Sequence, residues 1–125
     1  MALQIIKSDT GETAERTDEA IFEGGQVWAR PLTGGGDSSD LNVTVVQFGG
    51  GARAGWHRHS SDQVLYVIAG IGKVGDRDGE HVVSVGDSVV VPENVDHWHG
   101  AHDTGSPMSH LAITPAGTET TVLDN

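Results

Sequence analysis

Two histidine pairs carry the strongest chemical signal in this 125-residue chain. In HRHSSDQ, His57 and His59 are two residues apart and Gln63 follows, and HWH repeats the spacing at His97 and His99. Alternate side chains of a β-strand face the same side, so each pair presents two imidazoles together. Because neutral imidazole is a common ligand of transition metals, the pairs indicate half of a metal site each.

A fifth histidine lies on another strand-like run, MSHLAITP, where His110 and Ala112 share a face. A single strand histidine is usually a hydrogen-bonded structural residue. Two His-x-His pairs and a third strand histidine are harder to explain in that way, since clustered imidazoles inside a barrel would repel one another if protonated. A bound divalent cation removes this repulsion, so the cluster predicts a metal centre.

Short β-rich runs separated by Gly, Asp and Asn must position these histidines, and no run shows a sustained helical period. The turn sequences include GGGDSSD (34–40) and RDGE, which is typical of a hairpin. Many short strands at this spacing favour an all-β fold, an antiparallel sandwich or small barrel. Residues 1–25 are expected to form a short irregular arm and 26–125 the domain. The predicted strands are 26–32, 41–48, 54–59, 63–69, 71–76, 80–85, 87–92, 96–101 and 108–115.

Composition narrows the possible partners. The net charge is −11, with only seven Lys and Arg, so nucleic acid and anionic membranes would be repelled. No apolar run approaches the roughly 20 residues of a membrane span. The chain has no cysteine, which excludes disulfides and thiolate ligands and is consistent with a cytoplasmic protein.

The glycine and histidine spacing resembles the cupin superfamily. Gly51-x5-His57-x-His59-x3-Gln63-x6-Gly70 is similar to the first cupin motif, with glutamine in the usual glutamate position. Gly86-x5-Pro92-x-Asn94-x2-His97 is similar to the second, with Asn94 in place of its glycine. The resemblance implies a jelly-roll barrel. It also implies that the metal ligands are His57, His59, Gln63 and His97.

The stretch HWHGAHDTGSPMSHLAIT (97–114) narrows the resemblance to small bacterial cupins that include manganese-dependent hydroxynitrile lyases. That group implies manganese and places His99 and His110 in the metal cavity as proton-transferring residues. Imidazole and amide ligands also suit Fe, Ni or Zn. A Lewis acid would lower the pKa of a bound hydroxyl, and an imidazole with its ordinary pKa near 6.5 could take the proton. Alternatively, one of the two histidines only orients a ligand.

The expected partner is a small molecule with a hydroxyl or carbonyl group, and its pocket is expected to include Thr44, Val46 and Thr114. Three aromatic side chains are expected to point outward from their strands and are interpreted as packing residues: Tyr66, Trp56 and Trp98. The two remaining histidines, His81 and His102, are interpreted as surface residues. A homodimer through exposed strand faces is expected. An enzyme, either a lyase or an oxygenase, is favoured. The alternatives are a cupin dioxygenase, a uronate-linearising or polyketide cyclase-type cupin, and a non-catalytic module that binds a metal or small ligand.

Overall fold

The computed structural model describes residues 3–9, 11–33 and 40–124. Within this part of the chain every regular element is a strand, as the sequence predicted. The bounds are β1 Ala14–Glu15, β2 Phe22–Glu23, β3 Val27–Pro31, β4 Leu41–Phe48, β5 Arg53–His59, β6 Gln63–Asp76, β7 Gly79–Ser84, β8 Ser88–Val91, β9 His97–Ala101, β10 Met108–Pro115 and β11 Thr120–Val122.

The strands pair antiparallel throughout, in the order β1-β3-β4-β10-β6-β9-β5-β11, with β7 and β8 also on β6 and β2 on β5. We call the half formed by β1, β3, β4, β10, β8 and the first part of β6 sheet A. Sheet B contains β2, β5, β11, β9, β7 and the second part of β6. The two halves curl toward each other, so their inner faces enclose the core and the histidines. The predicted antiparallel all-β architecture is confirmed.

Strand β6 belongs to both sheets because a bulge lies at its middle. Its partner β10 shifts register between Ser109 and His110, and Gly70 takes a φ of +76°. A Cβ at Gly70 would collide with the carbonyl oxygen of Pro107, so the bend requires glycine. The prediction of two strands, 63–69 and 71–76, is therefore wrong in one respect: they form one bent strand.

The bulge also changes which residues face inward. Leu65 and Val67 are buried before it, whereas Ala69 is exposed and Gly72 is buried after it. Strict alternation from Gln63 would place Ala69 on the inner face, but the extra residue reverses the alternation and leaves Ala69 exposed.

The apolar core fills one end of the space between the sheets. The following members of this core are each at most 2% exposed: Val27, Phe48, Ala54, Val67 and Met108. The histidines lie beside this core on the same inner faces.

The first 25 residues are attached to both sheets. β1 pairs with β3, and β2 pairs with β5. These strands and β11 were not predicted, because two or three residues carry no readable alternation. The boundary at residue 25 stays a prediction.

The hairpin predicted at RDGE is confirmed, since Asp76 pairs with Gly79 across two turn residues. Of the predicted turn GGGDSSD, residues 34–39 lie outside the described part of the chain. The described residues contain no helix that could cross a membrane.

Candidate metal centre

Three buried histidines converge between the sheets. His57 and His59 lie on β5 and His97 on the neighbouring β9, where His57 and His97 are directly paired. One ring nitrogen of each lies within 4.8 Å of the others, and each side chain is at most 8% exposed. These three nitrogens are close enough to bind a single ion. The structure thus brings together three of the four predicted ligands in one cluster.

Each ring of this triad is oriented by a hydrogen bond at its Nδ1 atom. His57 Nδ1 donates to the Gly55 carbonyl at 2.6 Å, and His97 Nδ1 to the Val95 carbonyl at 2.9 Å. His59 Nδ1 lies 2.8 Å from Thr120 Oγ1. A carbonyl can only accept, so in His57 and His97 the proton is on Nδ1 and Nε2 keeps its lone pair. This is the arrangement that outer partners give to metal-binding histidines.

Three buried atoms of this cluster have no hydrogen-bond partner within the described structure: His59 Nε2, His97 Nε2 and Gln63 Oε1. Gln63 is 6% exposed and lies next to the His59 ring, where its amide raises the pKa of the imidazole against larger opposing effects. Buried polar atoms are rarely left unpaired, so unpaired acceptors converging here fit a cation. The donor set of imidazole nitrogen and amide oxygen suits a divalent transition metal.

A second bulge, in β5, places His57. The pairing of β5 with β9 shifts between Ala54 and His57, so Ala54 and His57 both face inward although they are three residues apart. Gly55 lies in the bulge, and its carbonyl is the one that accepts from His57 Nδ1. Bulges are frequent beside functional sites because they redirect a side chain in this way.

Asn94 connects the two histidine motifs. It has a φ of +62°, a left-handed conformation that asparagine tolerates better than most residues. Its backbone N–H donates to the His59 carbonyl at 2.8 Å. The asparagine therefore replaces a glycine here without losing the turn.

Burial keeps all three imidazoles neutral near pH 7. Loss of hydration is the first cause in each case, and it lowers the pKa of His57 to about 3 and that of His59 to about 4, with neighbouring His97 adding to both. The pKa of His97 is lowered as well, again mainly by burial. Neutral imidazole is the form that binds metal, so little proton release would accompany binding at neutral pH.

His99 and His110 form a hydrogen-bonded pair between the triad and the core. His110 Nε2 and His99 Nδ1 are 3.0 Å apart, and the Phe48 ring packs against both. The His99 ring centroid lies 5.2 Å from that of His57. The Nδ1 atoms of the triad are held by other groups, so these hydrogen bonds do not support the alternative that His99 or His110 orients a ligand.

The expectation that these two histidines keep an ordinary pKa is wrong. Burial lowers the pKa of His110 to about 4 and that of His99 well below its usual value, with His110 as the next cause for His99. Both are neutral imidazoles near pH 7. The Nδ1 atom of His110 has no hydrogen-bond partner within the described structure.

Thr44, Val46 and Thr114 lie on the inner face of sheet A. Val46 pairs with His110, Thr44 with Ala112, and Thr114 continues that face along β10. All three are half-buried. Their predicted role as substrate contacts stays a prediction.

A cavity of about 110 Å³ adjoins His97 between the two sheets. Its walls include Leu65, Val74 and Val89, and Asp76 and His81 contribute polar groups. His81 is exposed, as expected of a surface residue, but it also lines this cavity because it pairs with Val74 on the inner face. Sequence parity could not reveal this, since the β6 bulge changes the alternation that β7 follows.

The outward positions of Trp98 and Tyr66 agree with the sequence interpretation. Trp98 packs on Gly75 and beneath Arg53, whose guanidinium lies 4.8 Å from the indole. Trp56 is covered by Arg77 at 3.9 Å. Tyr66 is 41% exposed. These aromatic side chains therefore contact residues outside the metal centre.

Comparison with known proteins decides the family. The model of the cupin domain matches residues 44–114, which include the triad, Gln63, His99 and His110. The chain belongs to the cupin family. No curated protein matches this cupin in sequence.

Solved structures agree with this assignment. A cupin-like protein from Thermotoga maritima is 30% identical, with a TM-score of 0.80 over 93% of this chain and 89% of that one. The polyketide cyclase RemF from Streptomyces resistomycificus is 15% identical, with a TM-score of 0.80 over 100% and 87% of the two chains. A sugar phosphate isomerase from Silicibacter pomeroyi is 21% identical, with a TM-score of 0.78 over 98% and 83%. The last two likenesses establish the fold alone.

Thr120 is the site residue that sequence reasoning missed. It lies on β11, outside the matched residues 44–114, and pairs directly with His59. A threonine 61 residues from its partner, on a three-residue strand, gives no signal in the sequence.

Proposed function

We propose that this cupin is a metal-dependent enzyme acting on a small substrate with a hydroxyl or carbonyl group, by chemistry of the hydroxynitrile lyase type. The observation that carries the proposal is the set of unpaired buried acceptors, His59 Nε2, His97 Nε2 and Gln63 Oε1, beside His57. These four residues are the proposed ligands. Manganese is the proposed metal, and Fe, Ni and Zn suit the same ligands.

The metal would supply Lewis acidity, which lowers the pKa of a hydroxyl group bound beside it. Because Gln63 is neutral, the site carries one negative charge less than a site with glutamate, and it withdraws electrons more strongly. His99 and His110 are the proposed proton-transferring residues. Their mutual hydrogen bond at 3.0 Å would let a proton taken by one be shared with the other.

The test combines elemental analysis with a panel of cyanohydrins, diketones and uronates. We expect purified protein to hold about one divalent transition metal per chain and to release aldehyde from a cyanohydrin. His57→Ala should lose the metal, and His110→Ala should keep it and lose at least about 100-fold in rate. His102→Ala is the control, since the His102 ring bonds to Thr104 in a surface turn, away from the triad.

Two results would contradict the proposal. Protein whose folding and ligand binding ignore added Mn, Fe, Ni and Zn would remove the metal centre. Oxygen uptake that depends on ferrous iron, with a diketone substrate, would replace lyase chemistry by a dioxygenase.

We also propose a homodimer and a cytoplasmic location. The outer face of sheet A exposes Trp28, Tyr66 and Val90, by 37%, 41% and 67%. Side chains of this kind on one face are typical of subunit contacts. Analytical ultracentrifugation should give twice the chain mass for the wild type and the single mass for Tyr66→Glu.

Fractionation of the source cells tests the proposed cytoplasmic location, and a membrane or secreted fraction would contradict it.

A further inference from the structure

The cavity beside His97 is walled by aliphatic side chains on both sheets. Leu65, Val89 and Val91 come from sheet A, Val74 from sheet B, and Val95 from the loop that leads to His97. Val91 pairs with Gln63, so the wall continues directly from the proposed ligands. A group in this cavity would therefore lie next to the metal centre.

The size of the cavity indicates which groups fit inside it. Its volume is about 110 Å³. A water molecule occupies about 30 Å³ of liquid, and a cavity of about 150 Å³ is known to hold benzene. The space thus suits a branched aliphatic group of about four non-hydrogen atoms.

The charges around the cavity select against anions. None of the described residues that line it is Lys or Arg, and its one acidic residue is Asp76. A carboxylate or phosphate surrounded by these lining residues would lose hydration without gaining a cationic partner among them, and it would approach Asp76 in a chain of net charge −11.

We propose that this cavity binds an uncharged aliphatic branch of the substrate, such as that of a short-chain ketone, aldehyde or their hydroxyl adducts. The inference rests on the proposed function only in placing the substrate oxygen at the triad. Binding of the branch itself requires no catalysis.

The test uses two probes of nearly equal shape, 3-methyl-2-butanone and isobutyrate. Binding to chelator-treated protein, in which no metal can hold the carboxylate, is followed by the NMR shifts of valine methyl groups. We expect the ketone to bind at least about fivefold more tightly than isobutyrate. Asp76→Asn should reduce this preference, since it removes the negative charge and keeps the oxygen that accepts from the Asp78 N–H.

Two variants locate the probe. Val89→Phe fills the cavity and should weaken ketone binding about tenfold or more. Val82→Phe is the control, because Val82 is 59% exposed on the outer face of β7 and does not line the cavity. If Val89→Phe fails to fold, Val89→Ala replaces it: the enlarged cavity should then favour the longer 4-methyl-2-pentanone.

The outcomes separate this inference from the proposed reaction. Ketone binding that is sensitive to Val89 but without cyanohydrin cleavage would leave the cavity assignment intact and remove the lyase proposal. The cavity assignment is overturned if isobutyrate binds as tightly as the ketone, if no ketone binds, or if substitutions at Val89 have no larger effect than Val82→Phe.

Discussion

Gln63 is a neutral candidate ligand in a cluster of imidazoles, where a carboxylate would be the usual partner. Its Oε1 atom is buried without a hydrogen-bond partner within the described structure. A glutamate at this position would place a negative charge among rings that are all neutral near pH 7. The effect of that single charge can be measured separately on metal affinity and on catalysis.

We expect Gln63→Glu to bind a divalent metal about tenfold or more tightly and to turn over substrate more slowly. The added charge attracts the cation, and it also reduces the Lewis acidity that polarises the substrate. Competition with a chromophoric chelator gives the affinity, and steady-state kinetics gives the rate. Unchanged affinity would mean that Gln63 is not a ligand.

Thr120 supports His59 from the last described strand, through the contact between Thr120 Oγ1 and His59 Nδ1 at 2.8 Å. Thr120→Val keeps the shape and removes the hydroxyl that bonds to His59 Nδ1, so we expect metal affinity to fall by about 10- to 100-fold. Thr120→Ser should restore most of the affinity.

Thr121→Val is the matched control for Thr120, because Thr121 pairs with Arg58 and faces outward on the same strand. A purely structural role for Thr120 would lower the melting temperature of the Val variant but leave its metal affinity unchanged. That result would contradict the positioning role.

At the scale of the strands, the bulge in β6 is the element that joins the two sheets. Gly70 has a φ of +76°, and a Cβ there would meet the Pro107 carbonyl oxygen. We expect Gly70→Ala to lower the free energy of unfolding by about 3 kcal/mol or more, since the costs of backbone strain and of a steric clash add. Urea denaturation measures the loss.

Gly117→Ala is the control for the strain alone. Gly117 has a similar φ of +82°, but nothing lies within 4 Å of the position of an added Cβ. The Gly117→Ala variant should lose only about 1 kcal/mol of its free energy of unfolding. Equal losses in the two variants would show that the close approach to Pro107 contributes nothing.

The strands themselves were predictable, and their inner faces were predictable only as far as the alternation held. Runs such as LNVTVVQF are long enough to show a period of two, and the predicted strand 41–48 coincides with β4. Alternation assigns Ala69 to the wrong face because a bulge inserts one residue. No feature of the sequence other than Gly70 marks this bulge. Among the site residues, the His-x-His pairs were readable from local spacing. Thr120 and the cavity role of His81 depend on pairing between distant strands.

At the scale of the whole molecule, five neutral buried histidines make the metal-free protein sensitive to acid. The pKa of His57 is lowered to about 3 and those of His59 and His110 to about 4, mainly by burial, while an unfolded histidine titrates near 6.5. Between these values the unfolded chain binds more protons than the folded one. Stability is therefore complete above about pH 6.5 and is lost as the pH falls toward 4.

We expect the free energy of unfolding of chelator-treated protein to fall between pH 6.5 and 4.5, by up to about 1.4 kcal/mol per pH unit for each such histidine. Urea titrations at fixed pH values measure this slope. His110→Leu should reduce the slope of the free energy of unfolding against pH by the contribution of one histidine. A free energy that does not change across this range would contradict the burial of neutral imidazoles.

The bend in β6 has a consequence for how sequences of related barrels vary. If the strand kept its present length but lost the bulge, strict alternation from Val67 would turn Lys73 and Gly75 inward and Val74 and Asp76 outward. The wall of the cavity would then be lost although the composition of the chain had not changed. The two halves of β6 can therefore accept substitutions independently, whereas the number of residues between Val67 and Gly72 is constrained.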